Sequence, residues 1–372
     1  METAEFIVVG AGVVGLSTAR ALVKKGREVY LCEREIASGT GVTARNSGVI
    51  HAGLYYPADS LKGRFCLRGK QMLYELCRTQ GVPHLQTGKL IVATSPEEIA
   101  LLGNIRTTAA KGGVNDLVPL TKQEAEQMEP ALNVEAALFS PSTGIVDVPA
   151  LVTALEASFE QAGGNIAFGC EVISVRRREG GFIVRLADKD GRNEAEIFTK
   201  SFVNAAGLGA QKLAHTIEGL SEKYIPAQRM VRGHYFGLSG RSPFSRLVYP
   251  VPVKGGLGVH ATLDTAGILR FGPDVESVDR ESYQPNETRR KNFITAIERY
   301  YPDIKDRVLT PDFVGIRPQV GAFGAFNDFI VQGEESHGIR GLVNMFGIES
   351  PGLTSALAIA EHVASRLFDP PV

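Results

Sequence analysis

Gly10, Gly12, Gly15 and Glu33 are the residues whose types and spacing point most directly to chemistry. The glycines read G-x-G-x-x-G and follow directly on the apolar run Phe6–Val9. Gly10 allows a tight turn, Gly12 lets the backbone approach a pyrophosphate, and Gly15 lets a helix sit close to a strand. The free N–H groups and positive dipole end at that helix start suit phosphate oxygens. Glu33 ends a second apolar run, Val29–Cys32, where an acid would accept hydrogen bonds from a ribose hydroxyl. A glycine-rich turn alone is an ordinary loop. Strand, glycines, helix, strand and acid in register predict a dinucleotide site.

Two further residues have the right chemistry for a reaction centre. His260 lies in the stretch GLGVHATLD, where a strand over Gly256–Leu263 is expected. Alternation there puts Leu257, Val259, Ala261 and Leu263 on one face and Gly258, His260 and Thr262 on the other. An imidazole titrates near neutral pH and suits general-base work, although a hydrogen-bonded structural histidine fits the same pattern. Arg317, in VGIRPQ, follows an apolar run that includes Phe313, Val314 and Ile316. Its rigid fork matches a carboxylate bidentately, and Pro318 restrains the adjoining backbone. A surface salt bridge is its plainer reading.

The elements that must position these residues fall into an uneven pattern. Ser38–Ala58 is rich in Gly, small and polar residues, yet Val49, Ile50, Leu54 and Tyr55–Tyr56 speak for a close wrap around a ligand. Helices are expected over Ser60–Gln80, over Pro96–Lys111, and over Thr121–Met128 with Thr121 and Glu124 in capping-box spacing. Beyond Gly144 the pattern predicts a helix at Pro149–Gln161, a strand at Asn165–Phe168 and a hairpin of Glu171–Arg177 with Gly181–Leu186. An apolar strand then ends on Ala205–Ala206–Gly207, a second place where small residues let backbone pass near a cofactor. From Ile225 to about Ile316 strands dominate, interrupted by a helix at Glu287–Tyr300. The chain closes on a strand at Leu342–Phe346, a glycine turn and a final helix.

This alternation predicts an α/β chain (α+β overall). A Rossmann-like FAD-binding domain at 1–80, 144–224 and 325–372 would carry an inserted, mainly antiparallel β-sheet substrate domain at 81–143 and 225–324. A single FAD fits better than a pair of nucleotides, because no second G-x-G-x-x-G occurs in mid-chain; Gly255–Gly258 is a different pattern.

Composition narrows the classes. A chain of 372 residues, 44% hydrophobic and 22% charged, is ordinary for a globular protein of one elaborate domain or two. A formal charge of −1 gives no electrostatic case for nucleic acid or an anionic membrane. The cysteines Cys32, Cys66, Cys77 and Cys170 have neither metal-like spacing nor disulfide-scaffold density, so no metal is expected. They read as reduced thiols of a cytoplasmic protein. No signal peptide or transmembrane segment is expected, while peripheral contact with an inner membrane remains compatible with the sequence.

Five blocks then carry a family resemblance: the N-terminal fingerprint, NSGVIHAGLYY at 46–56, GIVDVPAL at 144–151, LGVHATLD at 257–264 and GIESPGLTSALAIAEHV at 347–363. The chain resembles the D-amino-acid-oxidase (DAO) type of flavoprotein, whose FAD domain is of the glutathione-reductase/DAO kind. Within the family it is most similar to the branch acting on small 2-hydroxy acids, L-2-hydroxyglutarate in particular. Alternatives on the same fold are amino-acid or amine oxidation, glycerol-3-phosphate oxidation, and flavin binding without turnover. The segment Val231–Arg232–Gly233 follows the family only loosely, and Arg270 stands where an apolar residue is expected before Gly-Pro.

The resemblance implies roles residue by residue. His260 would take the substrate hydroxyl proton as hydride passes to flavin N5, and Arg317 would clamp the carboxylate. Arg64 and Arg232 are candidates for a second, distal carboxylate, and His51 and Tyr55 would line the substrate side of the flavin. FAD would be held non-covalently by Gly10, Gly12, Gly15, Glu33, Arg34, Val172, Ala206 and Gly207, with Arg45, Asn46, Ser47 and Gly48 against the isoalloxazine or pyrophosphate. A covalent link, if present, would fall on His51, since no cysteine follows Cys170. Gly347, Gly352, Leu353 and Thr354 would close the site, the start of the last helix pointing its positive end at the flavin N1–C2 carbonyl. The electron acceptor would be oxygen or a membrane quinone.

Overall fold

A computed structural model describes residues 2–188, 190–252, 258–322 and 324–368. The chain divides into two compact units: residues 1–44, 148–229 and 317–372, and residues 45–147 and 230–316. The expected boundary at 80 therefore shifts, because residues 45–80 belong with the second unit. The long helix expected at Ser60–Gln80 forms at Leu61–Gln80, and its Cys66 donates to the carbonyl of His51, tying it to the stretch before it.

In the first unit, eight strands among the described residues form one sheet. Its centre is parallel. Glu2–Val9 runs between Val29–Cys32 and Glu194–Asn204, with Phe6 opposite Val29 and Ser201. Asn165–Ala167 extends the parallel set beside Val29–Cys32, and Leu342–Phe346 pairs in parallel with Glu194–Asn204. The hairpin Cys170–Arg178 with Gly181–Asp188 and the strand Ile330–Gln332 add antiparallel partners. Strands buried on both faces read as continuous apolar runs, which is why Phe6–Val9 is legible, and Leu342–Phe346 departs from that pattern only at Asn344. The helix Val13–Val23 packs against Val148–Glu160 and Gly352–Phe368.

The second unit is built on a nine-stranded sheet of the described residues. Its order is Glu276–Val278, Gln228–Leu238, Leu269–Phe271, Ala261–Leu263, Leu247–Pro250, Lys89–Ala93, Ala136–Ser140 and Val118–Thr121, with Leu309–Val320 also paired to Gln228–Leu238. Leu247–Pro250 and Lys89–Ala93 run parallel, whereas their outer neighbours Ala261–Leu263 and Ala136–Ser140 pair antiparallel to them. One apolar cluster centres on Leu90, Val92, Phe236, Phe271, Phe293 and Tyr300. A second gathers Ala52, Leu54, Ile91, Ala93 and Leu138 under the helix Pro96–Lys111.

Two expected elements come out shorter. The strand at Gly256–Leu263 is reduced to Ala261–Leu263, with Gly256 and Leu257 outside the described residues. Gly258 takes φ +76°, a left-handed conformation that breaks extended backbone, and a Cβ there would sit 2.6 Å from Pro250. His260 thus enters the strand from an irregular segment. The helix at Glu287–Tyr300 begins as a 3-10 turn over Glu287–Arg289 and is α-helical over Arg290–Glu298. The Thr121–Glu124 capping box forms with both reciprocal bonds. No helix among the described residues is long and apolar enough to cross a membrane.

Candidate active site

The glycine turn of the first unit has the geometry its spacing implied. Gly10 adopts φ +100°, and a Cβ there would lie 2.6 Å from the Ala205 carbonyl oxygen. A Cβ on Gly15 would overlap the Gly10 carbonyl oxygen itself, so only glycine lets the helix Val13–Val23 start this close to the strand. Gly12 caps that helix without any side-chain cap. In the turn the Gly10 N–H goes to the Cys32 carbonyl, the Ala11 N–H to Glu33 and the Val13 N–H to Thr43 Oγ1 at 3.0 Å, which leaves the Gly12 and Val14 N–H groups at the helix start for an anion. Glu33 receives the Ala11 N–H at 2.6 Å and the Glu35 N–H at 3.0 Å, which fixes its carboxylate beside the glycine loop. Ala205 donates to Val9, so the Ala205–Gly207 crossing lies beside the same turn, and Gly207 there takes φ +57°. Arg34, by contrast, is exposed and pairs with Glu35, and Val172 is buried in the apolar cluster that holds Val9 and Cys32. Gly347 takes φ +68° against Val320, and the last helix begins at Gly352 with Leu353 next and Thr354 fully buried.

In the second unit several chemistry-bearing side chains converge. Val248 pairs with Ala261 across antiparallel strands, a register that carried one residue further sets Tyr249 opposite His260. The two rings stack with centroids 3.5 Å apart and planes 6° from parallel. His260 is only 7% exposed. In the neighbouring parallel strand Lys89 lies alongside Leu247, and its Nζ sits 4.5 Å from the Tyr249 ring centroid and 5.3 Å from that of Tyr55. With the imidazole covering one face of Tyr249, the ammonium is left the other. Burial pushes the Lys89 ammonium down to about 8. Burial, then the Lys89 charge, push His51 down to about 3, so its imidazole is neutral across the working range. Burial raises the Tyr55 phenol, and burial with the neighbouring Tyr235 and Tyr55 raises Tyr249 further.

Arg45–Gly48 form a turn at the edge of this group. Asn46 Oδ1 accepts from the Gly48 N–H at 2.8 Å, Arg45 lies over the Tyr283 ring at 4.2 Å, and Ser47 Oγ is 2.9 Å from the Tyr235 hydroxyl. Tyr235 is stacked on Phe313. The candidates for a second carboxylate fare differently. Arg64 is exposed on the helix Leu61–Gln80. Arg232 is already met by Glu276 at 2.7 Å, within a partly exposed charged group that includes Asp274, Arg289 and the buried His234. Arg317 is half-buried and already has a partner. Arg270, the departure before Gly-Pro, is held by Asp264 at 2.9 Å and by Asp312.

Sequence reasoning missed Lys89, Tyr235 and Tyr249. Lys89 opens KLIVA, a strand whose five residues are all buried, and a charged residue leading such a run was the available signal. Tyr249 lies in the buried strand Leu247–Pro250, where an aromatic residue carries no such signal.

A parallel strand, glycine turn, helix, strand and anchored acid define a dinucleotide-binding fold. Comparison with known proteins resolves the class further. The family of DAO-type FAD-dependent oxidoreductases matches residues 5–366, and the chain belongs to it. It is 42% identical to a mitochondrial L-2-hydroxyglutarate dehydrogenase of Arabidopsis thaliana, over 99% of this chain and 84% of that protein. A glycerol 3-phosphate dehydrogenase of Caloramator mitchellensis is 32% identical, over 97% of this chain and 73% of that one. Among solved structures, a dithionite-reduced L-alpha-glycerophosphate oxidase of Mycoplasma pneumoniae with FAD bound superposes with a TM-score of 0.88 at 25% identity, covering 99% and 95% of the two chains. The protein is an FAD-dependent oxidoreductase, and the open glycine turn and the fixed Glu33 carboxylate fit the cofactor's pyrophosphate and ribose.

Proposed function

We propose that the protein oxidises L-2-hydroxyglutarate to 2-oxoglutarate. The observation that carries this reading is the 42% identity with an L-2-hydroxyglutarate dehydrogenase across nearly the whole chain. FAD, when bound, supplies the hydride acceptor. His260 takes the proton of the C2 hydroxyl; its ring is buried and held flat on Tyr249, so it cannot swing away from one orientation without losing the stack. Tyr249, held as the neutral phenol by burial, offers that imidazole an uncharged platform. Arg317 holds the carboxylate next to C2 through its planar fork.

The test is an anaerobic titration of the FAD-loaded protein with each enantiomer of 2-hydroxyglutarate. Loss of the visible flavin absorbance with the L form, and not with the D form or L-glutamate, is the expected result. A flavin left oxidised by L-2-hydroxyglutarate would end this reading. Glycerol 3-phosphate is the second donor to try, on the strength of the glycerol 3-phosphate dehydrogenase relative.

A further inference from the structure

Lys89 is 1% exposed, and no carboxylate pairs with it among the described residues. Its ammonium rests on two aromatic faces, Tyr55 and Tyr249. Such contacts contribute roughly 0.5–2 kcal/mol, whereas burying an ammonium costs several kcal/mol unless an opposite charge accompanies it. Its other charged-state neighbours give no help: His51 is neutral, and the Cys66 thiol is pushed up by burial to about 12. The strand nonetheless carries lysine where its other four positions are Leu, Ile, Val and Ala. A buried cation beside the base candidate, lacking an anion of its own, is arranged to receive one.

We propose that Lys89 binds the distal carboxylate of a dicarboxylate substrate and so sets the preference for 2-hydroxy diacids over 2-hydroxy monoacids. The proposal rests on the hydroxy-diacid reading above and gives the distal-carboxylate role to Lys89 in place of Arg64 and Arg232. Arg232 is occupied by Glu276 and Arg64 is turned to solvent. Lys89 Nζ lies 4.5 Å and the His260 ring 3.5 Å from the Tyr249 ring centroid, so the cation and the base candidate flank the same side chain. Binding exchanges no covalent bond; it supplies the missing negative charge.

Two measurements test it on the FAD-loaded protein. The first follows the flavin spectrum during titration with glutarate and with pentanoate, which differ only in the distal acid group. Wild type is expected to hold glutarate at least ten-fold more tightly, and Lys89→Met to lose that gap while its affinity for pentanoate stays unchanged. Lys89→Arg should recover part of it. The second needs no variant: calorimetry of glutarate binding near pH 8.5 in buffers of different ionisation enthalpy. An anion on Lys89 restores its proton, so glutarate is expected to take up a fraction of a proton more than pentanoate. His51, Tyr55, Cys66 and Tyr249, which surround the ammonium, do not change charge there. His260, beyond Tyr249, meets both ligands alike and cancels in the difference. Equal proton uptake by the two acids, or a glutarate preference that survives in Lys89→Met, would overturn the proposal. If glutarate binds as expected while L-2-hydroxyglutarate fails to reduce the flavin, the substrate reading alone has failed.

Discussion

His260, the proposed base, and His51, a candidate for the flavin's substrate side, differ in what holds them, and this separates their effects. His260 is stacked on Tyr249 and buried; His51 is half-buried and kept neutral by burial and Lys89. If His260 is the base, His260→Ala should slow flavin reduction by about 10²–10⁴-fold and remove the acid limb of its pH profile. His51→Gln should leave that limb in place, because His51 does not titrate near neutral pH. Rapid-mixing reduction kinetics across pH 5–9 would decide between them. A limb that follows His51 instead would reverse the assignment. His51 should register in stability. Its folded value near 3 lies below the ordinary 6.5, so below pH 6.5 the unfolded chain binds a proton that the folded chain does not. Stability is then lost as pH falls from 6.5 towards 3, by at most about 2 kcal/mol at pH 5 given its partial exposure. His51→Gln should flatten this part of the denaturation curve.

At the level of elements, legibility followed how local the cause was. The glycine turn, the Thr121–Glu124 cap and the helix Leu61–Gln80 with its Ser60 cap depend on residues a few positions apart, and the sequence carried them. Among the described residues the strand expected around His260 begins only at Ala261, because a left-handed glycine at 258 against Pro250 overrides a period-two pattern. The Lys89–Tyr249–His260 arrangement depends on strand pairing between segments far apart in sequence, Leu247 with Lys89 and Val248 with Ala261, and no local pattern encodes that register. Arg232 failed as a free cation for the same reason: Glu276 reaches it across a strand pair. The glycine turn allows a sharp element-scale prediction. Gly15→Ala places a methyl on the Gly10 carbonyl, which is backbone and cannot rotate away. Purified Gly15→Ala should carry little FAD and melt several degrees lower than wild type; full flavin occupancy at an unchanged melting temperature would mean that the close approach is not needed.

At the scale of the whole molecule, the chain passes between its two units at 44/45, 147/148, 229/230 and 316/317. Each unit has apolar clusters of its own, around Val175, Phe182 and Phe202 in the first and around Phe236, Phe271 and Tyr300 in the second. Neither unit is one continuous stretch, so no single cut isolates either. The cofactor fingerprint, however, sits wholly in the first: Gly10, Gly15, Glu33 and the Ala205–Gly207 crossing. A ligand that binds only the folded state stabilises it by about 4 kcal/mol at a thousand times its dissociation constant. That stabilisation should appear where the ligand's contacts are. Removing FAD should therefore speed amide exchange at Gly10–Val14 and in the strand Glu194–Asn204, while Lys89–Ala93, at the centre of the second unit's sheet, keeps most of its protection. Hydrogen exchange of apo and FAD-loaded protein makes the comparison directly. Loss of protection spread evenly over both sheets would mean that the two cores fold as one cooperative body, despite their separate clusters.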